Sequence, residues 1–118
     1  MPSLRSPEGK KRYQEYLEKT SANLPCPLCA RQALKEFTYW KIIVNKYPYD
    51  LIAETHHMIA PFRHVTEAEL SNDETQELKE IKATYIETRY DYIIEATTRN
   101  KSIPGHFHQH LLVGKPST

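Results

Sequence analysis

Three histidines stand at alternate positions near the carboxyl end, in His106-Phe107-His108-Gln109-His110, and they are half of the six in the chain. In extended backbone alternate side chains share a face, so His106, His108 and His110 line one surface while Phe107, Gln109 and Leu111 line the other. Same-face neighbours on a strand sit about 6.5–7 Å apart, close enough for two rings to share a site without all three serving one ion. A merely solvated histidine face fits poorly with the following Leu111-Leu112-Val113, which would bury this strand, and buried imidazoles need partners. Cys26 and Cys29 form a second group. A Cys-x-x-Cys pair alone fits half a zinc site, a redox dithiol or two ordinary buried thiols. A redox pair of the thioredoxin kind follows a strand and opens a helix within a βαβ unit, whereas this pair follows a helix and a proline-rich turn, which favours zinc. Tetrahedral zinc needs two more nitrogen or sulfur ligands, to be drawn from His56, His57, His64 and one member of the 106–110 set.

The elements that must position these residues are legible in part. Ser6-Pro7-Glu8 reads as a helix start, with Tyr13, Tyr16 and Leu17 on one apolar face and a stop at 20–23. Pro25-Cys26-Pro27-Leu28-Cys29 reads as a knuckle-like turn without regular structure, because the prolines remove backbone donors. Phe37, Tyr39, Trp40, Ile42, Ile43 and Val44 favour one long strand or two short ones over 37–45, closed by Tyr47-Pro48-Tyr49-Asp50. His56-His57-Met58-Ile59-Ala60, stopped by Pro61, reads as another strand. Ser71-Asn72-Asp73-Glu74 has the capping-box arrangement, opening a helix whose buried stripe is Leu78, Ile81, Tyr85 and Ile86. Strands over 92–97 and 106–113 complete a mostly antiparallel sheet with helices on one side, an α+β architecture.

Composition sets the bounds. A chain of 118 residues, 39% hydrophobic, fits one compact unit, in which residues 1–24 form a helical segment and 25–118 the main domain. Sixteen Lys plus Arg against fifteen Asp plus Glu leave a formal charge of +1, so nucleic acid and anionic lipid are not expected partners. Three glycines are too few for phosphate loops of the P-loop or dinucleotide type. Apolar runs such as Ile42-Ile43-Val44 fall far short of the roughly 20 residues that span a bilayer, and MPSLRSPEGKKRYQEY lacks an apolar signal core. The expectation is a soluble, cytoplasmic protein.

His106-Phe107-His108-Gln109-His110-Leu111-Leu112 resembles the hallmark of the histidine-triad (HIT) superfamily, His-φ-His-φ-His-φ-φ with φ apolar. Two further blocks, 40–50 with Asn45 and Pro48, and 56–65 with His56, Pro61, Arg63 and His64, are similar to that superfamily in order and spacing, particularly to its diadenosine-polyphosphate phosphorylase and hydrolase-like branches. The resemblance implies a five-stranded antiparallel sheet with two main helices, paired into a homodimer with a continuous ten-stranded sheet. It also implies substitution at the α-phosphorus of a nucleotide conjugate, a dinucleoside polyphosphate or nucleoside phosphoramidate, through a covalent nucleotidyl-histidine. By position His108 is then the nucleophile and His110 a donor to a phosphate or leaving-group oxygen. Zinc-containing members imply Cys26, Cys29, His64 and His106 as ligands of a closed, structural zinc. His56 matches a supporting histidine, Asn45 a ribose contact, and His57 no role.

Three departures from the family pattern stand out. Members commonly carry an Asn-x-Gly…Gly-Gln segment before the triad, where this chain has 98–105, short and nearly without glycine; Asn100 and Ser102, with Lys101, are the candidates there for phosphate binding. Gln109 replaces an apolar residue on the face opposite the imidazoles. The segment 50–55 is longer than in compact relatives. Two other readings of the same residues are a nucleotide-binding module without turnover and a metal-dependent hydrolase that uses the histidine cluster as ligands; the better zinc site offered by Cys26 and Cys29 weighs against the second.

Overall fold

A computed structural model of the chain describes residues 4–19, 26–97, 99, 103 and 105–116. Five strands form one sheet, β1 (Lys35–Glu36), β2 (Trp40–Val44), β3 (Ala53–Pro61), β4 (Tyr92–Ile94) and β5 (Gln109–Gly114), in the order β1-β2-β3-β5-β4. Every neighbouring pair is antiparallel. The described residues also include α1 (Pro7–Lys19), the single turn α2 (Pro27–Ala30), a 3-10 turn over Glu67–Glu69 and α3 (Asn72–Ile81), which runs on into a π-helical turn over Lys82–Ile86. The architecture is the α+β one expected; the 37–45 segment holds one strand, Trp40–Val44, and a further short strand, Lys35–Glu36, lies just before it.

The two faces of the sheet do different work. Trp40, Ile42, Ile59, Phe107 and Leu111 pack against Leu78, Ile81 and Ile86 of the α3 unit. The Trp40 indole N–H donates to the Glu74 carbonyl at 2.8 Å, which ties the start of β2 to the first turn of α3. That turn is held by the capping box: Ser71 Oγ accepts from the Glu74 N–H at 3.1 Å, and the Glu74 carboxylate accepts from the Ser71 N–H at 2.8 Å. The same buried carboxylate also takes two bonds from Arg63. On the opposite face Ile43, Met58, Ala60 and Leu28 form a smaller cluster, against which Cys26 and Ile103 pack. Period-two alternation along β2 and β3 separates the two sets.

Three expectations are corrected. The knuckle over 25–29 is a helical turn from Pro27 to Ala30, because a proline in the first turn lacks only an N–H that no helix start would use. β4 ends at Ile94 instead of continuing to 97. β5 begins at Gln109, not at 106. The last pair of the β3–β5 ladder is Ile59 with Gln109, and Pro61, two residues on, has no N–H to extend it. The chain before Gln109 finds other partners: the Phe107 N–H donates to the Val65 carbonyl at 2.7 Å.

At the other end of the site face, α1 is strapped to the loop between β2 and β3. The Ser6 N–H and hydroxyl both donate to the Asp50 carboxylate, each at 2.6 Å. Those two bonds hold the Asp50 carboxyl below its usual range. Gly9 permits the approach, since a Cβ there would lie 3.0 Å from Asp50 Oδ2. Tyr13 and Tyr16 pack at a tilt against Tyr47 at ring separations of 5.4 and 4.9 Å.

Two substitutions grade these contributions. Ser71→Ala should cost about 1 kcal/mol through loss of the cap, and Leu78→Ala about 2–4 kcal/mol through a core cavity. Urea unfolding checks both, with the midpoint moving and the slope unchanged.

Candidate functional site

The chain brings His56, His106, His108 and His110 together on the face of the sheet away from α3, each at most 4% exposed. His110 lies on β5 opposite Met58 of β3, and His56 sits two residues back along β3. His106 and His108 lie on the extended approach to β5. The His108 and His110 rings meet edge to face, with centroids 5.2 Å apart.

Hydrogen-bond partners of fixed polarity assign the tautomers. His108 Nδ1 lies 2.9 Å from the His106 carbonyl oxygen, which only accepts, so the Nδ1 hydrogen is committed there and Nε2 keeps its lone pair. His106 Nε2 donates in the same way to the Pro61 carbonyl at 2.9 Å, leaving its Nδ1 lone pair directed elsewhere. His56 Nδ1 accepts from the Tyr49 backbone N–H at 3.0 Å, so its hydrogen is on Nε2. That Nε2–H faces His110 Nδ1 at 2.7 Å and donates to it, which places the hydrogen of His110 on Nε2, 3.2 Å from the Tyr49 hydroxyl. Asn45 Nδ2 is also 3.3 Å from His56 Nε2. Asn45 Oδ1 is already taken by the Tyr47 N–H at 2.7 Å, so the amide cannot be turned round and the shorter contact to His110 claims the proton.

Burial keeps His56 and His110 neutral. It pushes both His56 and His110 down to about 3; the Arg5 charge and then His57 add to the effect on His56, and the neighbouring His56, His108 and Arg5 do so for His110. Arg5 comes from the residues just before α1: its Nε donates to the Tyr47 carbonyl at 2.8 Å and its guanidinium lies 4.0 Å from the Tyr13 ring centre and 5.1 Å from that of Tyr49. The Tyr49 ring packs at a tilt against His56 and His110, with centroids 4.4 and 4.9 Å away. Neither Tyr49 nor Arg5 carries a signal in the motif pattern; the available hint is Tyr47-Pro48-Tyr49, two aromatics held apart by a proline directly after Asn45.

A second cluster adjoins the first. Cys26, Cys29, His64 and His106 bring one ligand atom each to within 4.8 Å of one another, a group that could hold a metal ion. His106 Nδ1 is 3.5 Å from Cys26 Sγ and 3.4 Å from Cys29 Sγ, and His64 Nδ1 is 3.4 Å from Cys29 Sγ. In a tetrahedral zinc site with Zn–S near 2.3 Å and Zn–N near 2.0–2.1 Å, sulfur and nitrogen ligands lie about 3.5 Å apart, so the donor set and its spacing fit that ion. The Pro61 carbonyl supplies the outer hydrogen bond that turns His106 Nδ1 toward it.

The remaining expected residues fall as follows. Asn45 is half-buried, with its amide turned onto Tyr47 and His56. Asn100 and Ser102 lie outside the described residues. His57 is on the opposite face, its Nδ1 2.6 Å from the Tyr90 hydroxyl, a satisfied pair in which burial pushes Tyr90 up to about 12. Gln109 Nε2 donates to Glu95 at 3.2 Å, while its Oε1 is buried without a partner among the described residues.

Comparison with solved structures places this arrangement. A histidine triad protein from Clostridium difficile superimposes with a TM-score of 0.56 at 16% identity, covering 83% of this chain and 97% of that one. A HIT family hydrolase from Clostridium thermocellum gives 0.57 at 21% identity, covering 84% and 96%. A HIT family hydrolase from Legionella pneumophila Philadelphia 1 gives 0.53 at 20% identity, covering 80% and 96%. No family model matches the chain, and no curated protein does. The fold is therefore that of the histidine-triad superfamily.

A pH dependence of stability follows from the neutral imidazoles. Because the folded state holds His56 and His110 near 3 against an ordinary 6.5, the unfolded chain binds more protons throughout that window. Stability should therefore rise with pH from about 3 to 6.5, by up to about 1.4 kcal/mol per pH unit for each ring, and these two rings add no slope above it. Urea midpoints between pH 4 and 8 check this, and His110→Gln should flatten the acid limb.

Proposed function

We propose that this chain is a nucleotide hydrolase or nucleotidyl transferase acting at the α-phosphorus of a nucleotide conjugate, with His108 as the nucleophile. The observation that carries the reading is the 2.9 Å bond from His108 Nδ1–H to the His106 carbonyl, which leaves Nε2 unprotonated. A neutral imidazole of that tautomer can attack at neutral pH. In the first step the His108 Nε2–phosphorus bond forms, and the bond from phosphorus to the leaving group breaks, its electron pair departing with that group. In the second, water or another acceptor attacks phosphorus, the pair of the phosphorus–nitrogen bond returns to Nε2, and the acceptor's proton passes to solvent. His110, neutral and carrying its hydrogen on Nε2, donates a hydrogen bond to the oxygen on which negative charge grows. His56 holds that tautomer in place. The solved relatives named as HIT family hydrolases support a hydrolytic outcome.

Zinc fits the Cys26, Cys29, His64 and His106 cluster as a structural ion, with all four positions closed by protein. The residues themselves link α2 and the segment after β3 to the approach to His108. The sheet has two edges, β1 and β4, and a homodimer with a continuous ten-stranded sheet would join two copies of one of them; β4 is the edge that exposes Tyr92 and Ile93. Among the described residues no helix is long and apolar enough to cross a membrane.

Incubation with an adenosine phosphoramidate or a dinucleoside polyphosphate, radiolabelled at the α-phosphate, should leave label on the protein under acid-free denaturation. His108→Ala should abolish labelling and lower turnover by at least about a thousand-fold; label that persists in this variant overturns the assignment. Turnover lost at once on mild chelation with the fold intact would favour a metal-centred hydrolase instead. Protein purified without a histidine tag should contain close to one zinc per chain by elemental analysis. Cys26→Ser should lose that metal and melt about 10 °C or more lower.

A further inference from the structure

The loop between β2 and β3 contributes one polar group to the site that none of the roles above uses, the Tyr49 hydroxyl. Its oxygen lies 3.2 Å from His110 Nε2, and the tautomer chain makes that nitrogen the donor, so Tyr49 accepts and its own hydrogen remains to be given. The one hydrogen-bond partner recorded for this hydroxyl among the described residues is His110, itself a donor to it. The phenol is held where it stands from three sides. Its backbone N–H is fixed on His56, its ring packs at a tilt against both His56 and His110, and its neighbours Tyr47 and Asp50 are tied to Arg5 and Ser6 ahead of α1.

We propose that Tyr49 is a further catalytic residue of the reaction put forward above, a second hydrogen-bond donor beside His110 to a non-bridging or leaving-group oxygen of the substrate's α-phosphate. The inference rests on that reading of His108. The geometry has a simple exchange built in: in the free protein His110 Nε2–H is given to Tyr49 Oη, and a phosphate oxygen entering beside both would receive that hydrogen and the phenolic one together. Only hydrogen bonds are exchanged; Tyr49 keeps its proton, and no bond to phosphorus passes through it. Burial pushes the phenol above its ordinary range, which keeps it a donor at neutral pH. The role also has a chemical occasion in this chain, because the segment 98–105 has almost no glycine and so few places where bare backbone N–H groups could crowd onto a phosphate.

The test is Tyr49→Phe, which removes the hydroxyl and keeps the ring and the backbone N–H. In single-turnover labelling of His108 from an α-phosphate-labelled adenosine phosphoramidate, the rate should fall about 10–100-fold, as for removal of one preorganised oxyanion donor or somewhat less. Half-saturating substrate should move by no more than about 3-fold, as for an interaction strongest in the transition state. Nitrogen-15 spectra should find His110 still carrying its hydrogen on Nε2, with the melting temperature within a few degrees of wild type. Wild-type labelling with an unchanged rate in Tyr49→Phe overturns the inference and leaves His108 standing. A slowed variant in which the His110 tautomer has changed assigns Tyr49 to positioning alone and overturns the donor role. Wild-type protein that neither labels nor turns over any such substrate overturns both readings together.

Discussion

The site face depends on the three directions in which His106 is held. Its Nε2–H goes to the carbonyl of Pro61, its Nδ1 faces the two cysteine sulfurs, and its own carbonyl takes the Nδ1 hydrogen of His108. The first bond exists because β3 ends in a proline, whose carbonyl has no ladder partner in β5 and is free for a side chain. The second sets one ring nitrogen among sulfur donors without competition from a proton. The third passes the orientation on, since a ring whose Nδ1 is tied to backbone two residues behind it presents Nε2 outward. A single buried ring thus couples the cysteine cluster to the ring proposed as nucleophile, and a change at either end would be felt at the other through backbone rather than through charge.

Burying four imidazoles on one sheet face has an energetic cost that hydrogen bonding must offset. An unpartnered polar nitrogen in such a setting costs on the order of 1–3 kcal/mol. The chain meets this by alternating donors and acceptors in a closed circuit: the Tyr49 N–H to His56, His56 to His110, His110 back to the Tyr49 hydroxyl. The circuit works only with neutral rings, because a proton added to His110 would face the His56 Nε2–H across 2.7 Å, and one added to His56 would face the Tyr49 backbone N–H across 3.0 Å. Acid sensitivity and a defined tautomer at His110 are therefore two consequences of one arrangement. Arg5 works in the same direction, since a positive charge stacked on Tyr49 disfavours a second one on the rings beneath it.

Much of the sheet and of the cluster is legible in the sequence, and the limits have identifiable causes. The capping box at Ser71, the aromatic and β-branched content around Trp40–Val44 and the triad spacing are local patterns with a direct physical reading, and each corresponds to an element or a shared face. Where β5 starts is not local: it depends on Pro61 meeting the approach to Gln109 across the sheet, and no pattern within 106–113 contains that fact. The turn at Pro27 was legible in principle, since a proline that looks like a breaker from inside a loop is a good first residue of a helix. His57 and His56 are adjacent and chemically identical in sequence, and only the pleat decides that one faces the triad and the other Tyr90.

The loop between β2 and β3 is the part that motif spacing undervalues most. Measured as an insertion, 50–55 is extra length; as structure, the stretch from Asn45 to Asp50 carries an amide, two tyrosines packed against neighbouring rings and a carboxylate that anchors the residues ahead of α1. Each link is short-range once the loop is in place, yet Ser6 and Asp50 are 44 positions apart and Tyr49 and His110 are 61 apart. Contacts of that separation are invisible to periodicity. They also explain why a glycine is needed so early in the chain: Gly9 lets the Asp50 carboxylate lie against the first turn of α1, and through Asp50 the helix sets where the Tyr49 ring can stand. With so few glycines in all, one is spent against the Asp50 carboxylate, far from the triad in sequence, which is consistent with a phosphate site organised by side chains rather than by a glycine-rich loop.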